Sequence, residues 1–240
     1  MAATTLRNPI ICAVDTSDMA RASAITTAVN DHVGAIKLGL EFFTAHGAAG
    51  VNQITQASAI PLFLDLKFHD IPNTVAKAVA STANIACFMM TVHASGGHTM
   101  LQRAAHAAEE VAQRTGRARP LVIAVTMLTS LDQNDLESVG MTGSIEDQVS
   151  RLATLSQRAG IDGVVCSPHE IAAIRKVCGP DFKLVVPGIR PQGADHGDQK
   201  RVLSPKEALA GGADYLVIGR PITEAPDMKA VAKAIADSLN

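Results

Sequence analysis

Short runs rich in apolar and β-branched residues recur along the chain at fairly regular intervals, each separated from the next by an alanine-rich stretch with helical spacing. Eight such runs stand out: IICAVD (10–15), AIKLG (35–39), PLFLDLK (61–67), FMMTVHA (88–94), LVIAVTML (121–128), GVVCS (163–167), KLVVPG (183–188) and YLVIGR (215–220). They are continuous rather than alternating, which is the pattern of strands covered on both faces in a parallel sheet. Eight strands, each followed by a helix, in a chain of 240 residues predict an α/β protein: a single (β/α)8 TIM barrel over residues 1–240, a fold that typically takes about 250 residues. A doubly wound open sheet is the alternative. Against it, the first strand lacks the G-x-G-x-x-G turn with which such sheets hold dinucleotides. Ser17 and Asp18 are candidate caps of the first helix, and Gly160 and Gly179 candidate ends of later ones. No linker, charge block or low-complexity tract divides the chain. Two connections are long, 129–144 and 187–202, and long loops in compact domains are commonly functional.

Composition narrows the partners more than the fold. With 47% apolar residues the chain can bury a substantial core. A formal net charge of −2 gives no global positive field for nucleic acid or an anionic membrane, so any anion must be captured locally. The start, MAATTLRNPIICAVD, lacks the basic head, long apolar middle and cleavage site of a secretory signal. No apolar run approaches the ~20 residues that span a bilayer. The expectation is a soluble, cytoplasmic protein with neither nucleic-acid nor membrane partners. Cys12, Cys87, Cys166 and Cys178 are scattered and form no C-x-x-C pair, so they are expected to be reduced, buried and inert.

In a (β/α)8 barrel the chemistry sits at the carboxyl ends of the strands, and here polar residues gather at those ends. The first run ends at Asp15, the second contains Lys37, the third carries Asp65 and Lys67 with Asp70 just beyond, and the fourth ends near His93. Thr129 and Arg190 follow the fifth and seventh, and the eighth ends at Gly219 and Arg220. A polar residue closing one strand is ordinarily a solvated edge; a ring of them converging on one mouth is not. Asp65 and Lys67, two apart on a strand, point to the same side. Burying such a pair is tolerable only if each charge has further partners, for which Lys37 and Asp70 are candidates. The glycines from Gly188 to Gly197, with Arg190, Gly219 and Arg220, suit phosphate, which barrels of this kind hold after strands seven and eight. The histidines lack metal-ligand spacing, and no metal is expected.

The motifs D-L-K-F-H-D-I-P-N-T, V-H-A-S-G-G, V-T-M-L-T-S, P-G-I-R-P-Q-G and V-I-G-R-P-I-T together resemble those of bacterial orotidine 5'-monophosphate decarboxylases, over a stretch from Asp15 to about Thr223. D-x-K-x-x-D alone marks a wider superfamily; I-P-N-T, P-G-I-R and I-G-R narrow it. The resemblance implies cofactor-free decarboxylation of orotidine 5'-monophosphate to uridine 5'-monophosphate, the last step of de novo pyrimidine synthesis. It implies Lys67 as proton donor, Asp65 beside the substrate carboxylate, and Lys37 as a further link in an alternating chain of charges. Asp15 and Lys37 would hold the ribose, Thr129 the pyrimidine, and Arg190, Gln199, Gly219 and Arg220 the phosphate region. It further implies a homodimer whose active sites are shared, with Asp70, Ile71 and Thr74 reaching into the other subunit's site.

Two other readings remain open at this point. A metal-dependent sugar-phosphate decarboxylase or aldolase of the same superfamily shares D-x-K-x-x-D, but needs an acidic residue where this chain has Lys37. A non-catalytic nucleotide-phosphate binder needs only the phosphate loops and has no use for Asp65, Lys67 and Asp70.

Overall fold

The computed structural model describes residues 6–190 and 203–239. Eight parallel strands, β1 (Ile10–Val14), β2 (Ala35–Gly39), β3 (Leu62–Phe68), β4 (Cys87–His93), β5 (Leu121–Val125), β6 (Gly163–Val165), β7 (Lys183–Val186) and β8 (Tyr215–Ile218), pair in sequence order, and β8 closes onto β1. Between and after them run α1 (Met19–Val29), α2 (Leu40–Ala57), α3 (Pro72–Ser81), α4 (Gly97–Thr115), α5 (Gln133–Ser138), α6 (Ile145–Arg158), α7 (Ile171–Cys178), α8 (Pro205–Ala210), α9 (Arg220–Thr223) and α10 (Met228–Asp237). The expected TIM barrel is the fold.

Side chains alternate across each strand, and this divides the apolar residues into two cores. Ile11, Ala13, Ala35, Phe63, Met89, Ile123, Val185 and Val217 fill the barrel axis as a separate cluster. Their neighbours Ile10, Cys12, Ile36, Leu38, Leu62, Leu64, Met90 and Val92 face the helices. Continuing the inward rows by one step toward the carboxyl ends reaches Lys37 on β2, Asp65 on β3 and Thr91 on β4. The charged groups therefore stand directly on an apolar plug that keeps water from reaching them from below.

At the opposite end, two aspartates staple neighbouring strands. Asp162, just before β6, accepts from the Val122 N–H at the start of β5 (2.7 Å), and both its oxygens accept from Arg119 Nη1 (2.7 and 2.8 Å). Asp214, just before β8, does the same for β7, accepting from Leu184 N–H (2.8 Å), Arg175 (2.6 Å) and Lys183 (3.0 Å). Arg175 also donates to the Gly179, Phe182 and Gly212 carbonyls, so the barrel floor is tied by a single fork of hydrogen bonds.

Several boundaries differ from expectation for local reasons. β5 stops at Val125, because Thr126 turns its hydroxyl to the Val165 carbonyl (3.0 Å) and the chain leaves the sheet. The 129–144 connection contains α5, six residues that are too few to show a helical period but are started by a capping box between Asp132 and Asp135. Asp18 alone caps α1, accepting from Arg21 N–H. Gly179 ends α7 at φ 77°. The four cysteines are free; three are buried and Cys87 is half-buried. Burial pushes the Cys12 thiol up to about 12 and the Cys87 thiol up to about 11, leaving both protonated at neutral pH.

The floor staple is testable. Asp214→Ala leaves the Arg175 guanidinium and the Leu184 amide without their shared acceptor and should cost about 2–3 kcal/mol of unfolding free energy in a denaturant titration. A loss below about 0.5 kcal/mol would show that the staple is only a surface contact.

Candidate active site

The centre of the site is a break in the barrel. Between β3 and β4 the register passes from Leu64↔Met90 directly to Phe68↔Val92, so β3 carries extra residues through Asp65, Leu66 and Lys67. Lys67 takes φ 50°, and it is the sole non-glycine residue with positive φ among those described. That conformation costs an L-residue about 1–2 kcal/mol, and the surroundings supply the compensation. The Lys67 N–H, with no ladder carbonyl opposite, donates to Thr91 Oγ1 (2.9 Å), and its side chain returns to donate from Nζ to Asp65 Oδ2 (2.8 Å).

Asp65 is where the charges meet. Its Oδ2 lies 2.8 Å from Lys67 Nζ and 3.6 Å from Lys37 Nζ, while its Oδ1 accepts from the Thr91 hydroxyl at 2.8 Å. Lys37 Nζ also binds Asp15 Oδ1 at 2.9 Å, giving an alternating series Asp15–Lys37–Asp65–Lys67. Gly39 makes room for it: a Cβ there would meet Lys37 Nζ at 3.3 Å. The side chains of Lys37 and Asp65 are each 11% exposed, Lys67 29% and Asp15 59%, so the series runs from solvent into the barrel. Unit charges about 4 Å apart attract by about 4 kcal/mol at an effective dielectric of 20, and desolvation costs several kcal/mol per ion. One lysine would barely offset the burial of Asp65; two lysines and a hydroxyl do. Burial by itself would raise the Asp65 carboxyl, yet the Lys37 and Lys67 charges with the Lys67 and Thr91 hydrogen bonds hold it below the usual carboxylate range. Burial would likewise lower the Lys37 ammonium, and Asp15 and Asp65 outweigh it, holding it above its ordinary value.

Beside this series opens a cavity of about 180 Å³ at the carboxyl ends of the strands, lined by the polar residues Lys37, Asp65, Lys67 and Thr129 and by apolar residues that include Phe63, Val125, Met127, Val165, Val185 and Val217. A lining that combines charged and apolar groups suits a flat ring with polar substituents. Near the mouth the His69 and His93 rings lie 5.3 Å apart, tilted by 32°. Burial, followed by the neighbouring His69 and Lys67, lowers the His93 imidazole from its ordinary value.

The other expected residues distribute as follows. Arg190, buried, lies just past β7, its N–H donating to Leu203 O (3.0 Å) and its guanidinium to Ile189 O (3.0 Å). Gly219 and Arg220 follow β8. Gly188, which opens the 188–197 loop, takes φ 78°. Gln199 and the rest of that loop beyond Arg190 lie outside the described residues. Asp70, Ile71 and Thr74 are exposed at the start of α3. The Asp70 carboxylate accepts from Ile71 N–H (2.6 Å) and makes no ion pair with Lys67 within this chain among the described residues. Within one chain, then, Lys67 is held by Asp65 and not by Asp70.

The family model described as "Orotidine 5'-phosphate decarboxylase / HUMPS family" matches residues 8–235. The chain belongs to the orotidine 5'-phosphate decarboxylase / HUMPS family. A relative from Paramagnetospirillum magneticum named orotidine 5'-phosphate decarboxylase is 52% identical over 232 residues, 97% of this chain and 98% of that protein. One of the same name from Moorella thermoacetica is 51% identical, over 97% of this chain and 92% of its own length. Among solved structures, that of orotidine 5'-phosphate decarboxylase from Lactobacillus acidophilus superposes with a TM-score of 0.86 at 34% identity, covering 97% of this chain and 99% of that one.

Sequence reasoning in the terms of this family missed Thr91, Gly39 and the apolar residues of the cavity lining. A lone threonine in the run MMTVH and valines inside strands carry no signal of their own. Only the closed barrel brings Thr91 against Asp65 from the next strand.

The depressed Asp65 carboxyl has a consequence with a definite sign. A carboxylate whose folded pKa lies below the unfolded value stabilises the fold above the unfolded value, about 3.9, and loses that contribution as pH falls through the folded pKa. Asp65→Asn should therefore be about 3 kcal/mol less stable than the parent at pH 7, with the gap closing below about pH 4. A gap independent of pH would mean that shape rather than charge is responsible.

Proposed function

We propose that the protein decarboxylates orotidine 5'-monophosphate to uridine 5'-monophosphate with its own side chains, and that the Lys67 ammonium is the group that meets the developing charge. The observation that carries this reading is the Asp15–Lys37–Asp65–Lys67 series set against a half-apolar cavity at the barrel mouth. Family membership supports the substrate, and so do the names of the relatives.

The bond from C6 of the pyrimidine to its carboxylate breaks, CO₂ departs, and the electron pair remains on C6 in the ring plane, where the π system delocalises it poorly. Stabilisation must then be electrostatic. An ammonium already fixed by Asp65 stands ready without reorganisation, so it favours the carbanion more than the ground state. Lys67 Nζ–H then transfers its proton to C6, and the resulting amine takes a proton from water. In this reading Asp65 faces the substrate carboxylate, Asp15 and Lys37 hold the ribose, and Thr129 binds the pyrimidine edge. Arg190, Gly219 and Arg220, with Gln199, hold the phosphate. Phosphate binding energy far from C6 is used in the transition state, which a reaction needing some 20 kcal/mol of barrier reduction requires.

The charges argue against the metal-dependent reading on chemical grounds. Asp65 already accepts from Thr91 on one oxygen and faces two ammonium groups on the other. A divalent cation there would sit against Lys37.

A second copy of the chain completes the site in this proposal. Leu40, Ile71 and Leu128 are exposed at the ends of β2, β3 and β5, at 55%, 68% and 41%. Burying them against a second subunit would bring Asp70 of the partner subunit toward Lys67, giving that lysine a second carboxylate.

Three experiments test these points. Lys67→Ala should lower kcat by a factor of about 10³ or more, read from the ultraviolet absorbance of the substrate, while uridine 5'-monophosphate still binds. Parent activity should persist in EDTA; abolition by EDTA with restoration by Mg²⁺ would overturn the mechanism. Mixing inactive Lys67→Ala with inactive Asp70→Ala should restore up to roughly a quarter of parental activity, because each mixed dimer contains one intact composite site. No restoration after verified subunit exchange would mean that the site is built from one chain.

A further inference from the structure

We infer that Thr91 is the positioning residue of the site, its one hydroxyl setting both the rotamer of Asp65 and the backbone from which Lys67 projects. This rests on the decarboxylase reading for its catalytic consequence, but on geometry alone for the positioning itself.

The Thr91 side chain is fully buried, on β4 opposite the irregular stretch of β3. A hydroxyl has one proton. A carboxylate can only accept, so the proton goes to Asp65 Oδ1 at 2.8 Å, and the oxygen lone pairs face the Lys67 N–H at 2.9 Å. The direction of both bonds is thus fixed by the identity of the neighbours. Without the hydroxyl the Lys67 amide would lose its acceptor, at a place where the chain already holds φ 50°. Asp65 would lose the contact that leaves Oδ2 for the lysines. Both losses move the Lys67 ammonium, since its backbone and its anchoring carboxylate are the two groups Thr91 holds. A displacement near 1 Å can cost on the order of 10²-fold in rate.

Other titratable groups around Asp65 are Lys37 on β2, Lys67 on β3, Asp15 after β1, and His93 on β4 with the His69 ring beside it. None of them touches the Lys67 backbone amide, so none can replace Thr91 in linking the two.

Thr91→Val keeps the volume and removes the hydroxyl; Thr91→Ser keeps the hydroxyl. Thr91→Val should lower kcat by about 10- to 100-fold with binding of uridine 5'-monophosphate within about 3-fold of the parent, and Thr91→Ser should stay within about 3-fold in both. The acid limb of the kcat/KM profile should move to higher pH in Thr91→Val only, because a hydrogen bond to the charged form is gone. A substrate-free readout separates this inference from the decarboxylase reading: a carboxyl NMR titration of Asp65 should shift upward by about one pH unit in Thr91→Val and not in Thr91→Ser. If the parent fails to turn over orotidine 5'-monophosphate, the decarboxylase reading falls while the titration still decides the role of Thr91. An unshifted Asp65 titration, or equal impairment of the valine and serine variants, would overturn the role.

Discussion

Asp65 is one carboxylate shared by two ammonium groups and a hydroxyl, and the site depends on how that sharing is made possible. Lys37 arrives from β2, Lys67 from the same strand two residues on, and Thr91 from β4. Three strands must therefore be held in register before any of these contacts exists. A closed barrel does this, because each strand is fixed by neighbours on both sides. The apolar plug of Phe63, Met89, Val185 and Val217 beneath excludes water, which raises the strength of each interaction above it.

The two ends of the barrel divide the work. At the amino-terminal end, Asp162 and Asp214 are satisfied by arginines and strand amides. At the carboxyl end β3 loses its register, Lys67 takes an uncommon conformation, and charges are packed closely. Irregularity of this kind persists where the surroundings over-determine it. Here Thr91 and Asp65 are those surroundings. The strain keeps the ammonium of Lys67 over the cavity wall rather than continuing along the strand, so it is part of the site rather than a defect beside it.

How much of this could be read from sequence follows from where the signals are local. The strand runs were legible because both faces of each strand are buried, and the ends of the runs marked Asp15, Lys37, Asp65 and Lys67 because charge interrupts apolar residues there. D-L-K-F-H-D-I-P-N-T together with the P-G-I-R and I-G-R blocks carried the resemblance to the family. What was not legible depends on contacts across strands: the irregularity between Leu64 and Phe68, the acceptor for the Lys67 amide, and the apolar part of the cavity lining. Alternation on β3 put Asp65 and Lys67 on one side correctly, but through an unexpected backbone. Asp70, three residues from Lys67 in sequence, makes no ion pair with it within the chain among the described residues, and in the proposed function its role turns on a second subunit.

The central claim is that Lys67, held by Asp65, stands against the carbon that loses CO₂. A crystal structure with uridine 5'-monophosphate bound tests it most directly. The account predicts Lys67 Nζ about 3–3.5 Å from pyrimidine C6, the separation from which a proton can be transferred, with Asp65 still bonded to the amine. A nucleotide bound in the cavity with C6 turned away from Lys67, or with the Lys67 amine directed away from it, would contradict the account.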